Sequence, residues 1–481
     1  MRGLGKILTI IALMYLFASC EKENINSSSD ALLRFSTDTV AFDTIFTSIG
    51  SPTHNVRVIN PTNSTLIISS IRLAGGNKSG FRLNVNGEVA NDVSDVEIPP
   101  NDSIFIFVEV TLGENGGNIP MVAEDSIVFN VNGIVQDVNL IAWGQDFKRI
   151  NSKVLETSTW TNEKPYLIYN YAYVDSGAVL TIEPGTIIYF HDGAGFYVKG
   201  TIDVQGTNDE PVVFQGDRLE SMYRDLPDQW NGIILFSGSH NNRFEHAVIK
   251  NANIGLQVGT IEHEGYASVE LADTRIENMS WSGIWAMKSK ILASNCVISN
   301  VRYYNTALLL GGDYQFYHTT FANYYNALST GIRNTETLIV SNYLVDSKTD
   351  MRYVGNMTQA TFGNCIVTGN RSNELLVRMD KKGEANYLFD NCLLQLSDTF
   401  NIDNNSHYQG ILRSADPRFI DPYKGNFQLD TLSAVKDIGK LSYAKLFPND
   451  FLGVSRLDDA GPDLGAFERV EKDPEKTANS K

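Results

Sequence analysis

Cysteine is scarce in this chain: four in 481 residues, with no CxxC and no Cys/His spacing of the kind that holds zinc. A zinc-stapled scaffold is therefore not supported. Basic residues are outnumbered, 39 against 56 acidic, and the net charge of −17 argues against nucleic acid as a partner. It also weighs against a polyanionic glycan unless a local basic cleft overrides the total. Long apolar runs are missing except at the start, and the 12-residue run at 7–18 is too short to span a bilayer comfortably. Asn-Gly hairpin signals are few, which disfavours an alternating antiparallel sandwich in the second half of the chain. What remains is an ordinary globular composition, 42% apolar and 20% charged, so a wholly disordered chain is excluded too.

A repeat is present instead. Seven segments carry an apolar residue, a spacer, a polar residue, and another apolar residue three positions later. The polar positions are His246, Asp273, Asn295, His318, Asn342, Asn364 and Asn391, spaced by 27, 22, 23, 24, 22 and 27. Two residues before them stand Phe244, Leu271, Ala293, Phe316, Val340, Phe362 and Phe389. Three residues after stand Ile249, Ile276, Ile298, Phe321, Val345, Val367 and Leu394. A fixed period in this range means stacked units, each burying its apolar face against its neighbours. Strand side chains alternate faces, so positions one and three after the polar residue point inward and the one between points out. The polar residue marks a bend, where a short amide or carboxylate bonds freed backbone groups. Stacked in register, these residues form a ladder. Cys296, Cys365 and Cys392 share one inward position, which reads as a column of buried thiols. A Cys365–Cys392 disulfide between adjacent coils stays open.

The segments "SNCVISN" (294–300), "GNCIVTGN" (363–370), "DNCLLQ" (390–395) and "WNGIILF" (230–236) resemble the right-handed parallel β-helix repeat of pectate-lyase-like proteins. "VLTIEPGTIIYF" (179–190) resembles that family's first coils, and "PDLGAFE" (462–468) its usual ending. Residues 31–146 differ: short alternating strands separated by Asn60-Pro61, Gly75-Gly76, Pro99-Pro100 and Gly116-Gly117 imply a sandwich. The order "NPTNSTLIISSI", "IPPNDSIFIFVEV" and "LIAWG" resembles immunoglobulin-like domains of the abnormal-spindle type, whose usual role is spacing or docking. The expected fold class is all-β: an immunoglobulin-like β-sandwich at 31–146, then a single-stranded right-handed parallel β-helix of pectin-lyase-like form at 147–468. A disordered tail is expected at 469–481.

Arg2 and Lys6 precede the apolar run, and Phe17-Ala18-Ser19-Cys20 resembles a bacterial lipobox. The resemblance implies a signal peptide at 1–19, lipidation of Cys20, and a solvated tether at 20–30. The expected location is the cell envelope, as an outer-membrane lipoprotein displayed at the surface, with the lipid anchor making the membrane a partner.

The resemblance further implies a substrate groove along one strand face and the loop before it. There the chain carries Trp281, Trp285, Arg302, Tyr303 and Tyr304, then Tyr324 and Tyr325, then Arg352 and Tyr353. Flat rings on successive coils suit the apolar faces of sugars, so these residues are the candidate glycan-binding strip. A lyase of this family needs Lys or Arg near the reacting proton and often calcium. Lys288, Lys290, Arg302, Arg333 and Arg352 are the candidates, and calcium is expected only in that case. A glycosidase needs two facing carboxylates; Glu262, Glu264 and Asp313 form no evident pair. His246 and His318 read as structural, and Asp458, Asp459 and Asp463 as turn residues. Catalytic residues do not carry over from the family. The leading expectation is a non-catalytic lipoprotein whose β-helix presents a surface to a polysaccharide or a surface protein. The alternatives are a polysaccharide lyase or hydrolase in the same groove, and a structural or adhesive stalk.

Overall fold

The polar residues of the repeat stack into a column. The computed structural model describes residues 25–28, 30–117, 119–261, 265–325, 333–346, 348–403 and 405–469. In it His246, Asp273, Asn295, His318, Asn364 and Asn391 follow one another in register at one corner of successive coils. All six adopt left-handed backbone, φ 43° to 57°. That conformation favours Asn, Asp and His over larger side chains, because a short polar group can bond locally. The side chains also bond to one another. The Asn295 amide donates to Asp273 Oδ1 at 3.0 Å, Asn364 donates to His318 Nε2 at 3.2 Å, and Asn391 donates to Asn364 Oδ1 at 3.3 Å.

Around this corner the coil has three parallel faces, and the described strands hydrogen-bond into one continuous sheet of 26. Sheet II leads into the corner through Asn242–Glu245, Ser268–Ala272, Met357–Gly363 and Leu388–Asp390. Sheet III leaves it through Ala247–Lys250, Arg275–Met279, Val297–Val301, Thr320–Asn323, Ile366–Gly369 and Leu393–Leu394. Sheet I closes each turn with Trp230–Leu235, Ala252–Val258, Leu338–Ser341 and Leu375–Arg378. Ser282–Ser294 and Tyr304–Tyr317 each supply both sheets I and II. They bend at Lys288 and Leu310, whose φ values are 44° and 59°. Inside, apolar side chains stack coil upon coil. Phe316, Phe362, Phe389 and Tyr408 form a near-parallel pile with centroid spacings of 5.3, 4.5 and 5.6 Å. Cys296, Cys365 and Cys392 are free, buried thiols.

The seventh polar position is a correction. Asn342 stands outside the column, because the coil from His318 reaches its next corner only at Asn364, 46 residues on. Leu338–Ser341 belongs to sheet I, stacked on Thr306–Leu308. Asn342 caps a different turn, donating to the Asp380 and Glu384 carbonyls at 2.9 and 3.1 Å and accepting from Asp380 N at 2.7 Å. Tyr343–Val345 then pairs antiparallel with Arg352–Val354, so Tyr343 and Val345 are not core residues. An Asn that caps a loop and an Asn that holds a ladder corner present the same local pattern.

A second correction concerns the outward position of sheet III. Val297, Thr320, Ile366 and Leu393 are buried there. The C-terminal stretch 416–468 folds over this face, placing Phe427, Ala466 and Phe467 on Val297 and Ala322, and Leu429, Val435 and Leu464 on Ile366 and Leu393. The ladder also bonds this stretch: Asn295, Asn364 and Asn391 donate to the carbonyls of Asn449, Lys440 and Ile438 at 2.9, 3.1 and 2.8 Å.

Under the stretch lies a fully buried ion pair, Arg456 Nη1 to Glu468 Oε2 at 2.9 Å. Asp450 and Asp463 crowd the same guanidinium. Burial first, and the Asp463 charge second, push the Glu468 carboxyl up to about 8; burial pushes Asp463 up to about 6. An acid whose folded pKa exceeds its unfolded value binds more protons when folded. Its stabilisation is complete below the unfolded value of 4.5 and fades as pH rises through about 8. Stability against urea is therefore expected to fall between pH 5 and 8, by at most about 1.4 kcal/mol per pH unit for one proton. Glu468→Gln should flatten that slope; an unchanged slope would assign the dependence elsewhere.

The chain divides after Asp146 into two compact units. The first is a sandwich of two five-stranded sheets. One is antiparallel throughout; the other includes a parallel pair, Thr39–Phe46 with Ile134–Gln145. They enclose one core that includes Phe42, Val56, Ile68, Phe81, Ile106 and Phe129. Buried Asn60, from the "NPTNST" segment, organises one turn by donating to the carbonyls of Ser64, Ile98 and Pro99 at 2.8–2.9 Å. Part of the expected tether belongs to this unit. Asn26 N donates to Thr65 O at 2.9 Å, and the Asn132 amide donates to the carbonyls of Asn26 and Ser28. A polar Ser/Asn tract reads as solvated, yet its backbone is free to complete a sheet edge. Cys20, most of the rest of 1–30, and the tail beyond Arg469 lie outside the described residues.

Candidate functional site

The expected aromatic strip divides among three places. Trp281 precedes Ser282, which pairs in register with Tyr304, so Trp281 and Tyr303 occupy adjacent coils at the corner between sheets III and I. Their ring centroids lie 4.6 Å apart at 43°, and Trp285 lies 6.1 Å from Trp281. Trp281 is 40% exposed, and the Arg302 guanidinium sits 5.7 Å from the Tyr303 ring centre. A long loop braces this corner. Ser280 Oγ donates to Asp228 at 2.8 Å, and the Asn251 amide donates to the carbonyls of Arg224 and Leu226. The result is a small aromatic platform with one cation beside it.

Trp285 and Tyr304 lie half-buried on the outer surface of sheet I. They pack with Leu344 and Leu376 against Met287, Ala307, Leu309, Leu310 and Ile339. Burial raises the pKa of the Tyr304 hydroxyl. Leu344 comes from the hairpin of Tyr343–Val345 and Arg352–Val354, so that hairpin covers the middle of the face expected to be an open groove. Arg352 and Tyr353 are on the hairpin, not on a groove strand. The Arg352 guanidinium lies 4.6 Å from the Tyr343 ring centre and 2.9 Å from Asp380 Oδ2. Tyr324 and Tyr325 go elsewhere again, to a cavity of about 460 Å³ on the sheet III side, where Tyr324 meets Tyr423 at 5.7 Å. Tyr423 and Met222 escaped the sequence reading. The available signal was an aromatic between Pro422 and Gly425, a tight turn that leaves Tyr423 69% exposed.

The cationic candidates separate as well. Arg333 is buried and bonded to both Glu374 oxygens, to Thr335 O and to Asn370, so its role is structural. Lys288 and Lys290 line a cavity of about 430 Å³ with Tyr266 and Asp313, at the corner between sheets I and II. Lys290 lies 3.6 Å from Asp313 Oδ2. His318 is buried in the ladder, and burial with the nearby Arg456 holds its imidazole well below the usual pKa. Asp463 belongs to the C-terminal ion cluster, while Asp458 and Asp459 are exposed in the preceding turns. Glu262 and Glu264 lie outside the described residues. Among the described residues no group of three or more His, Cys, Asp or Glu is arranged to hold a metal ion.

Residues 152–282 match the family model described as a pectate-lyase-like β-helix domain, well under half of the chain. No curated protein matches. Among solved structures, the catalytic unit of a thermostable GH87 α-1,3-glucanase from Streptomyces thermodiastaticus is 10% identical. That alignment covers 75% of this chain and 90% of the glucanase, with a TM-score of 0.22. A protein of unknown function from Porphyromonas gingivalis is 10% identical over 26% of this chain, with a TM-score of 0.19, and this chain spans 60% of its length. The ASH/PapD-like domain of human CEP192 is 8% identical over 24% of this chain and 84% of that domain, with a TM-score of 0.16. Those TM-scores are too low to carry an argument. The family match and the strand register together identify a parallel β-helix protein.

Proposed function

We propose that this protein is a cell-envelope lipoprotein, anchored through Cys20, whose β-helix binds a glycan at the Trp281–Tyr303 platform without transforming it. An immunoglobulin-like reading of the sandwich gives that unit a spacing or docking role. The observation supporting glycan binding is the pair of rings 4.6 Å apart with Trp281 left 40% exposed. A sugar ring presents an apolar face to such rings, and Arg302 is placed to meet its hydroxyls. Trp281→Ala and Tyr303→Ala are each expected to weaken retention on a polysaccharide column about tenfold, roughly 1.4 kcal/mol. The unfolding midpoint should stay the same. Retention that survives both substitutions would remove the platform from the reading.

The catalytic alternative draws support from one place, the cavity shared by Lys288, Lys290 and Asp313. A lyase there would raise ultraviolet absorbance with uronate polymers, and calcium would enter only in that case. A hydrolase would release reducing ends.

A further inference from the structure

The outer face of sheet III is not covered everywhere. Between the loop at 218–229 and the C-terminal turn Pro422–Lys424 it floors two adjoining cavities, of about 460 and 300 Å³. They share Asp225, Asn300, Pro422, Tyr423 and Phe427. One end is aromatic: Tyr324 and Tyr423 meet at 5.7 Å and 65°, with Met222 alongside. The other end is polar and built from strand register. Glu277 pairs with Ser299, so both side chains point out from sheet III into the smaller cavity beside Arg275.

Three features there lack full partners or charge. Ser299 is 1% exposed, and its hydroxyl finds no hydrogen-bond partner among the described residues. Buried hydroxyls are almost always bonded, so this one leaves an open polar position in the cavity floor. The Asp225 carboxylate accepts one long hydrogen bond, from the Asn278 amide at 3.5 Å. Glu277 lies 3.6 Å from Arg275, and burial pushes its carboxyl toward the neutral form. The lining therefore offers donors and acceptors together with aromatic faces and little net charge. The charged lining balances, Asp225 and Glu277 against Arg275 and Lys424, so neither a cation nor an anion meets a wall of one sign.

We infer that this cleft binds one neutral, hydroxyl-rich ring, a sugar residue or cyclitol. Its apolar face lies on Tyr423, with Tyr324 standing edge-on beside it, and its hydroxyls reach Asp225. The site is separate from the Trp281 platform.

The test is titration of the full chain with glucose, galactose, mannose and myo-inositol, followed by calorimetry and saturation-transfer NMR. Glucuronate and glucosamine serve as charged counterparts. At least one neutral ring is expected to bind in the millimolar range and better than either charged analogue. Asp225→Asn and Tyr423→Ala should each weaken it about tenfold or more, as losing a placed hydrogen bond or a stacking face does. Asp225 and Tyr423 are exposed, so neither change threatens folding. The titrations are repeated on Trp281→Ala, whose platform is disabled, and the cleft component is expected to remain there. No binding by the unaltered chain, binding in the Trp281→Ala chain that survives both cleft substitutions, or tighter binding of a charged analogue would each overturn the assignment. Loss on Trp281→Ala alone would move the ring to the platform, overturning the cleft and leaving the platform standing.

Discussion

Above pH 8, where Glu468 is ionised, Arg456→Met is expected to destabilise the β-helix unit by about 3–5 kcal/mol, the usual cost of removing one partner from a buried ion pair. Arg456 is fully buried. Its Nη1 donates to Glu468 at 2.9 Å, and its Nη2 donates to Asn295 Oδ1 and Gly465 O, both at 3.1 Å. The substitution strands Glu468, Asp463 and Asp450 in a space they entered around one cation. It also cuts a bond between the C-terminal stretch and the ladder. Arg456→Met with Glu468→Leu should recover most of the loss, because an apolar pair needs no counter-charge. The measurements are the urea midpoint and hydrogen exchange at the Ala466 amide, which donates to Thr320 Oγ1 at 3.0 Å. A loss below about 1 kcal/mol, or no recovery in the double variant, would show that apolar contact alone holds the stretch down.

Phe362→Ala should cost a similar amount, about 3–5 kcal/mol, through a different cause. Phe362 is fully buried between Phe316 and Phe389, its ring within 6° of parallel to both. Truncation removes contacts on two faces, and neighbouring coils, fixed by parallel hydrogen bonds, collapse only partly into the gap. In a solenoid each coil touches its neighbours, so lost protection should concentrate in the coils of Phe316 and Phe389. Exchange in the sandwich should be unaffected. Protection lost evenly along the β-helix would mean that it unfolds as one block.

Six of the seven polar corner residues were legible because their signal is local. Each needs a left-handed backbone and a short polar side chain, and the apolar residues two before and three after it face the core. Asn342 satisfied the same pattern by capping a loop. Only the 46-residue coil from His318 to Asn364 shows that it belongs to another corner. Trp281 and Tyr303 come together because both precede a sheet I strand by the same offset. Arg352 and Tyr353 do not join them, since their expected position followed from reading Asn342 as a corner. Tyr324 follows its coil as expected but finds Tyr423, about a hundred residues further along the chain.

The chain's own pattern thus determined the coil, since period-two burial and corner backbone conformation depend on residues a few positions apart. Tertiary structure alone decided which outer faces stay open. The hairpin at 343–354 closes part of sheet I, and the stretch at 416–468 closes most of sheet III through partners such as Asn295 and Arg456, 161 positions apart. An outward-facing strand residue looks the same in the sequence whether water or a distant segment covers it. The uncovered surface, where binding happens, is set by those long-range contacts.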